Sequence, residues 1–444
     1  MGKERPAIAT RAVHAGDKPP QSVTVPKVPP IYASSVFSFD YLDRIDEVYG
    51  GKTPGYVYSR QRNPGIDILE QAVCSLECGS EAVAFASGMA AITSSVLALV
   101  HSGDHVVAGR VLYGGTHTFF KDELPKRGVE TTFVDMNDLE QVRSAMRPNT
   151  KLVYCETISN PLMEVADLEA LAGIAHTAGA LLVVDNTFAS PVLCRPLEHG
   201  ADISINSTTK YLNGHSDITG GVAAFAPYVQ EGHARGVGVG GTGDKESPAA
   251  KVRALAALYG PTPSPFDAWL TVRGLRTIDL RLRKCSENAL RLARFLAEHP
   301  KVGVVHYPGL ESSLYHELGK KYLAGGYGGM LSFELKGGTR AAGKDGVPSS
   351  VPQDPIPSGE PATGPLELAR AVIDSLRMVE LVPSLAGVST TVSHPGKTSH
   401  RAIPLDEREA YGVGDGLIRV SVGIEDYADI EDDFRQALEA VAVG

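Results

Sequence analysis

Runs of apolar β-formers alternate along the chain with segments whose apolar residues recur every three or four positions. Leu181 to Val184 are four consecutive apolar residues that stop on Asp185, the pattern of a parallel strand buried on both faces and ending in a carboxylate. Leu152 to Cys155 reads the same way, and a shorter strand follows at Asp202 to Asn206. Residues 167–178 predict a helix, with Asp167 as N-cap, Leu168, Leu171, Ile174 and Ala175 facing inward, and Gly179 as the stop. Strand, helix and strand of these lengths imply a right-handed crossover and a largely parallel sheet. Ile66, Leu69, Val73 and Leu76 mark another one-sided helix, and AVAFASGMAAI (82–92) passes from a strand through Ser87 and Gly88 into a helix. Trp269 to His299 predicts a long helical region broken near Gly274, with Arg281, Arg283 and Lys284 on a solvated outer face. Strands return at 302–306 and 329–335.

The pattern weakens in three places. Residues 1 to about 60 are rich in Pro and Ser and predict an extended arm, whose apolar residues must lie on something else. Residues 232–249 and 337–365 break the pattern, the second dense in Gly, Pro and Ser and expected to be a flexible insert. The first contains a G-x-G-x-x-G at 238–243, but no strand feeds it and no amphipathic helix leaves it, so a dinucleotide site is not expected. The expected organisation is an arm (1–60), a cofactor-binding domain (61–262) and a C-terminal domain (263–444) carrying the 337–365 insert.

Composition narrows the function. A chain of 444 residues is long enough for two cores, and its net charge of −10 argues against nucleic acid as the main partner. Five scattered cysteines suggest free thiols in a reducing compartment, and no apolar run is long enough to span a bilayer, so a cytoplasmic protein is expected. Cys74 and Cys78 are four apart, but with no matching His or Cys nearby they read as small core residues, and no metal is expected.

The chemistry gathers at 181–221. Asp185 ends a strand where open α/β sheets bind ligands, and Ser207, Thr209 and Lys210 follow the next strand at once. An acid, two hydroxyls and an amine suit a ligand with a basic ring nitrogen, a phosphate and an electrophilic carbonyl, which describes pyridoxal 5'-phosphate. Asp185 would keep the ring nitrogen protonated, Ser207 and Thr209 would take phosphate oxygens, and Lys210 would bond the aldehyde carbon. The residues alone leave open a strand-end cap at Asp185 and an exposed amine at Lys210.

The stretch DNTFASPVLCRPLEHGADISINSTTKYLNGHSDITGG resembles the cofactor-lysine signature of the trans-sulfuration branch of pyridoxal-phosphate enzymes. YSRQRNP (58–64), ASGMAAI (86–92), LYGGT (112–116), ETISNP (156–161), VHYPGL (305–310), GGMLSFELKGG (328–338) and LIRVSVGIED (417–426) continue the resemblance in the family's order. It implies a fold type I (aspartate aminotransferase-like) α/β architecture, with a large mostly parallel sheet domain and a smaller α+β C-terminal domain. It also implies a homo-oligomer, usually a dimer of dimers, in which the arm gives Tyr58 and Arg60 to a neighbour's cofactor phosphate. Gly88 and Met89, at a helix N-terminus, suit the phosphate of their own subunit. Tyr113 matches the tyrosine stacked on the cofactor ring and active in proton transfer, and Asn160 the residue bonded to the ring hydroxyl. Arg419 matches the arginine that clamps the substrate α-carboxylate, and Ser384 the serine beside the cofactor lysine.

Departures concern the substrate. Gly115 replaces the cysteine that marks methionine γ-lyases, Ser389 stands where many relatives have glutamate, and Thr390, Thr391 and Lys397 are also unusual. The expected reaction is γ-elimination from a sulfur amino acid such as cystathionine or methionine. γ-Replacement on an O-acyl-homoserine, or a specialised γ-substituted substrate, is the alternative. An aminotransferase would use the same lysine, and a non-catalytic binding scaffold conflicts with the presence of every cofactor position.

Overall fold

A computed structural model of the chain describes residues 24–227, 247–337 and 364–441. Seven strands form the larger sheet: β1 (Glu81–Phe85), β2 (His105–Gly109), β3 (Glu130–Val134), β4 (Thr150–Glu156), β5 (Leu181–Asp185), β6 (Ile203–Asn206) and β7 (Gly221–Phe225). Their order is β1-β7-β6-β5-β4-β2-β3. The run from β6 to β3 is parallel, and β7 is antiparallel to both its neighbours. Val107, Val153, Leu182, Val184 and Val222 face the helices Pro64–Leu76 and Leu168–Thr177. Val106, Leu152, Tyr154, Val183, Ile203 and Ile205 face Gly88–Leu97 on the other side. Both faces are covered, which is why these strands read as continuous apolar runs rather than alternations.

Helix Pro64–Leu76 starts on Asn63, whose side chain accepts the Gly65 N–H, with proline at the first position. It ends before Cys78, which is exposed at φ 56°, so Cys78 is a turn residue and not the core residue expected. Among the described residues no group of three His, Cys, Asp or Glu could hold a metal ion.

The long helical region divides into Pro265–Leu275 and Ile278–Glu298, a short step beyond Gly274. A Cβ on Gly274 would lie 2.3 Å from the Asn213 carbonyl oxygen, so the helix backbone lies directly against that loop. Arg281 corrects the sequence reading. It is 7% exposed and donates to the carbonyls of Tyr211 (2.9 Å) and Gly274 (2.9 Å). Position 281 lies between Ile278 and Cys285 on the helix's inner face, so periodicity rather than charge decides where it points. Arg283 is exposed as expected, paired with Asp279 at 2.8 Å.

The second sheet comprises β8 (Val302–His306), β9 (Met330–Leu335), β10 (Glu380–Leu381), β11 (Thr391–Ser393) and β12 (Ile418–Ser421), in the order β10-β11-β12-β9-β8. It is antiparallel except at β10–β11. Helix Ile278–Glu298, about 31 Å long at 1.5 Å per residue, spans both cores. Ile278 and Leu282 pack below the large sheet, whereas Ala289, Leu292 and Leu296 pack on the small one. One rigid rod thus sets the two sheets against each other.

The described part of the arm holds a short helix, Asp43–Tyr49, none of whose residues is buried. An Arg44–Glu47 pair at 3.3 Å supports it in place of a core contact. Trp269 Nε1 anchors the arm by donating to the Pro29 carbonyl at 2.9 Å, while Leu42 and Tyr49 stay exposed. The G-x-G-x-x-G motif and most of 232–249 and 337–365 lie outside the described residues.

Candidate active site

The C-terminal ends of β4, β5 and β6, the first turn of helix Gly88–Leu97, the loop after β2, and β12 with the loop at Ser384 surround one cavity of ≈ 250 Å³. Its lining includes Gly88, Met89, Tyr113, Asn160, Asp185, Ser207, Thr209, Lys210, Ser384 and Arg419, each a candidate from sequence. Tyr58 and Arg60 do not line it. Tyr58 is 43% exposed, and Arg60 stacks on its ring and donates to the Ala257 carbonyl.

The floor is acidic. Glu156 and Asp185 are paired in the β4–β5 register and both are buried. Burial raises the pKa of each carboxyl, and for Glu156 the neighbouring Asp185 raises it further. Asp185 accepts the Thr187 N–H at 3.0 Å, and the Thr187 hydroxyl accepts the Ser207 N–H at 2.9 Å, tying the acid to the lysine-bearing turn. Deeper down, Glu77 accepts from Asn186 (3.1 Å) and Asn206 (2.6 Å), the residues after Asp185 and before Ser207. Burial pushes its carboxyl up to about 7.

Opposite stand two cations. Lys210 Nζ donates to Ser384 Oγ at 2.8 Å, and its pKa falls to about 8 through burial and then the Arg419 guanidinium. Arg419 donates to Asn160 Oδ1 at 2.9 Å, and burial lowers it to about 10. Among the described residues no carboxylate is within ion-pair reach of either. A buried guanidinium bonded only to a neutral amide is costly unless it meets an anion, which suits a substrate carboxylate.

The third side suits a phosphate. Ser87 caps helix Gly88–Leu97 by accepting the Ala90 N–H, leaving the N–H groups of Gly88 and Met89 at the helix terminus. A Cβ on Gly88 would lie 2.7 Å from Ser207 Cβ, so glycine is what lets this turn approach the Ser207 hydroxyl. Thr209 Oγ1 accepts the Gly220 N–H at 3.0 Å, which fixes its hydroxyl beside Ser207. A protonated ring nitrogen at the acidic floor, an aldehyde at Lys210 and a phosphate at the helix terminus fit pyridoxal phosphate on these observations.

Glu156, Thr187, Phe188 and Ser399 also line the cavity and had not been singled out from sequence. Glu156 had a readable signal, a carboxylate ending a strand in register with Asp185. Gly115 touches the site too, since a Cβ there would lie 2.7 Å from Tyr113 Cε1 and 3.2 Å from Met89 Sδ. Of the unusual residues, Ser389 and Lys397 are exposed and Thr390 is structural: its hydroxyl donates to Glu425 at 2.8 Å and accepts the Gly423 N–H at 2.9 Å.

A large mostly parallel sheet with its ligand cavity at the strand ends, and a smaller sheet supplying an arginine, define the fold type I class of pyridoxal-phosphate enzymes. Within that class, the chain belongs to the Cys/Met metabolism PLP-dependent enzyme family, which matches residues 9–439. It is 36% identical over 442 residues to an L-methionine gamma-lyase of Fusobacterium nucleatum subsp. polymorphum, covering 99% of this chain and 100% of that one. It is 36% identical over 458 residues to a homocysteine synthase of Schizosaccharomyces pombe, covering 99% and 100%. The crystal structure of metB from Corynebacterium glutamicum superposes with a TM-score of 0.80 at 35% identity, covering 98% of each chain.

Proposed function

We propose that the chain catalyses γ-elimination from a sulfur amino acid such as cystathionine or methionine, consuming one water and releasing 2-oxobutyrate, ammonia and a thiol. The observation that carries this reading is the convergence of Lys210, Asp185 and Arg419 on one cavity. Pyridoxal phosphate, when bound, supplies the electron sink that makes the Cα and Cβ protons of an amino acid acidic. Asp185 holds the ring nitrogen's proton, Asn160 bonds the ring hydroxyl, and Gly88, Met89, Ser207 and Thr209 hold the phosphate. Arg419 fixes the α-carboxylate through its two-pronged guanidinium. The Lys210 amine, aimed by Ser384, takes the proton from Cα, and Lys210 with Tyr113 moves the proton at Cβ so that the γ-substituent leaves.

Tyr58 and Arg60 serve a neighbouring copy's phosphate in this reading, so the working unit is a homo-oligomer of at least two chains, assembled as a dimer of dimers. Their distance from their own cavity and the exposed apolar residues of the arm support it. A monomer with full activity on sizing would refute it. The setting is cytoplasmic, consistent with five free cysteines; no helix among the described residues is long and apolar enough to cross a membrane.

Product analysis of the cofactor-loaded protein tests the reaction, using cystathionine, methionine, homocysteine and O-acetylhomoserine with and without cysteine. Release of 2-oxobutyrate and ammonia without added thiol is expected. Thioether formed only from O-acetylhomoserine plus thiol would establish γ-replacement instead, the reading favoured by the likeness to a homocysteine synthase.

A further inference from the structure

The segment from Pro395 to His400 packs on the loop that carries Tyr113. A Cβ on Gly114 would lie 1.8 Å from the Ser399 carbonyl oxygen, and His400 Nε2 is 3.1 Å from the Leu112 carbonyl oxygen. A backbone carbonyl can only accept, and the ring meets the Asn160 carbonyl as well as that of Leu112; the Nε2–Leu112 contact assigns the ring hydrogen to Nε2. The ring is 2% exposed. Burial, and next the Arg419 guanidinium, push its pKa down to about 4, so it is neutral at physiological pH. In a neutral ring with hydrogen on Nε2, Nδ1 is a bare acceptor. Ser399 Oγ lies 2.9 Å from Nδ1, so the serine hydroxyl gives its one proton to His400.

Ser399 also lines the cavity. With its proton held by the histidine, the hydroxyl oxygen has only lone pairs left to offer a ligand. Among the described residues no side chain donates to it. A bound amino acid can supply the donor. Its α-carboxylate has no proton to give, and its α-nitrogen is the atom that joins the cofactor aldehyde, which leaves the side chain.

We infer that Ser399, fixed as a hydrogen-bond acceptor by His400, makes the site select amino acids whose side chain carries an N–H or O–H donor over those ending in a bare alkyl group. The favoured substrate class is a γ-substituted amino acid whose departing half bears an amine or a hydroxyl. This deepens the γ-elimination proposal and rests on it for the chemistry at Cγ, but the selectivity can be tested with ligands that cannot react.

Norleucine and 5-hydroxynorvaline are such a pair, differing by a terminal methyl against a hydroxyl. The cofactor-loaded protein is titrated with each, following the cofactor absorbance. Tighter binding of 5-hydroxynorvaline is expected. Ser399→Ala should cut that preference about tenfold, which is about 1.4 kcal/mol. Ser399→Thr, which keeps the hydroxyl, should restore it. His400→Phe frees the hydroxyl proton and should narrow the preference although the serine is intact, a result that a purely structural role for Ser399 would not give. Equal affinities in the unmodified protein, or a preference that Ser399→Ala leaves untouched, overturns the inference. Failure of the elimination reading would appear separately, as no 2-oxobutyrate from any sulfur amino acid.

Discussion

Glu156 is the most informative single residue to change. Its Oε1 accepts the Tyr113 N–H at 2.7 Å and its Oε2 the Asn160 N–H at 2.9 Å, so one carboxyl sets the backbone of two residues lining the cavity. Leaving a buried backbone N–H without its acceptor costs about 1–3 kcal/mol. Glu156→Ala should therefore cost on the order of 2–6 kcal/mol in holding that geometry, and Glu156→Gln, which keeps one acceptor and turns an NH2 group toward the other N–H, about half of that. A displacement of Tyr113 by about 1 Å would lower kcat/KM roughly 100-fold. The pH dependence has a definite sign. Burial and Asp185 raise the folded-state pKa, so the folded protein favours protonated Glu156; that stabilisation is complete below the ordinary carboxylate range and is lost as pH rises through the raised pKa. Glutamine does not titrate, so the stability gap between Glu156→Gln and the unmodified protein should shrink as pH rises from that range. Denaturant unfolding of the cofactor-free protein at several pH values, alongside elimination kinetics of the loaded enzyme, measures both. A Glu156→Ala protein with unchanged kcat/KM and an unshifted midpoint would refute the assignment.

Three further changes test other parts of the structure. In the cofactor-free protein, capture of pyridoxal phosphate by Lys210 needs the neutral amine, so its rate should rise with a midpoint near pH 8 and level off; a rate still climbing past about pH 10, where ordinary lysine titrates, would contradict the burial argument. Propionate, a carboxylate without an amine, should move that midpoint upward by occupying Arg419, and Arg419→Met should do the same. Arg281→Met leaves the carbonyls of Tyr211 and Gly274 without their donor next to the lysine turn, and should lower stability by about 2–4 kcal/mol and slow cofactor capture; unaltered capture would show that the turn holds itself. Lys301→Met removes a cation that donates to Leu438, Glu439 and Val441 carbonyls at the end of helix Tyr427–Ala440, and should cost about 1–2 kcal/mol in denaturant unfolding without changing KM.

What could be read from sequence follows from how local each signal was. Asp185, Ser207, Thr209 and Lys210 lie within 26 positions, on two adjacent strands whose apolar runs are unmistakable, so their meeting at one sheet edge follows from the strand pattern alone. The helix at 168–177 was legible because its cap, inner face and stopping glycine all agree. Arg281 was misread because its charge was weighed above its place in the 278–285–289 stripe. Ser399 and His400 gave no signal at all, because their roles need Leu112 and Arg419, which are remote in sequence and close only in the fold. Resemblance to a family located Arg419 and Asn160, but not the bond between them.

That bond matters because Arg419, the proposed holder of the α-carboxylate, also acts on its neighbours. After burial, its charge is the next cause that lowers the pKa of both Lys210 and His400, so one buried cation from the second sheet helps bring the Lys210 amine down to about 8. The effect on Lys210 has a direction in time. With no carboxylate on it, the guanidinium favours the unprotonated Lys210 amine, the form that would bond the cofactor aldehyde. A carboxylate settling on Arg419 would cancel this field and raise the basicity of the Lys210 amine, which suits removal of the Cα proton in the proposed reaction. His400 is less exposed to the change, because burial is the first cause of its low pKa and holds it neutral without the arginine. In the proposed reaction, substrate binding would thus retune Lys210 and leave the Ser399–His400 contact as it was.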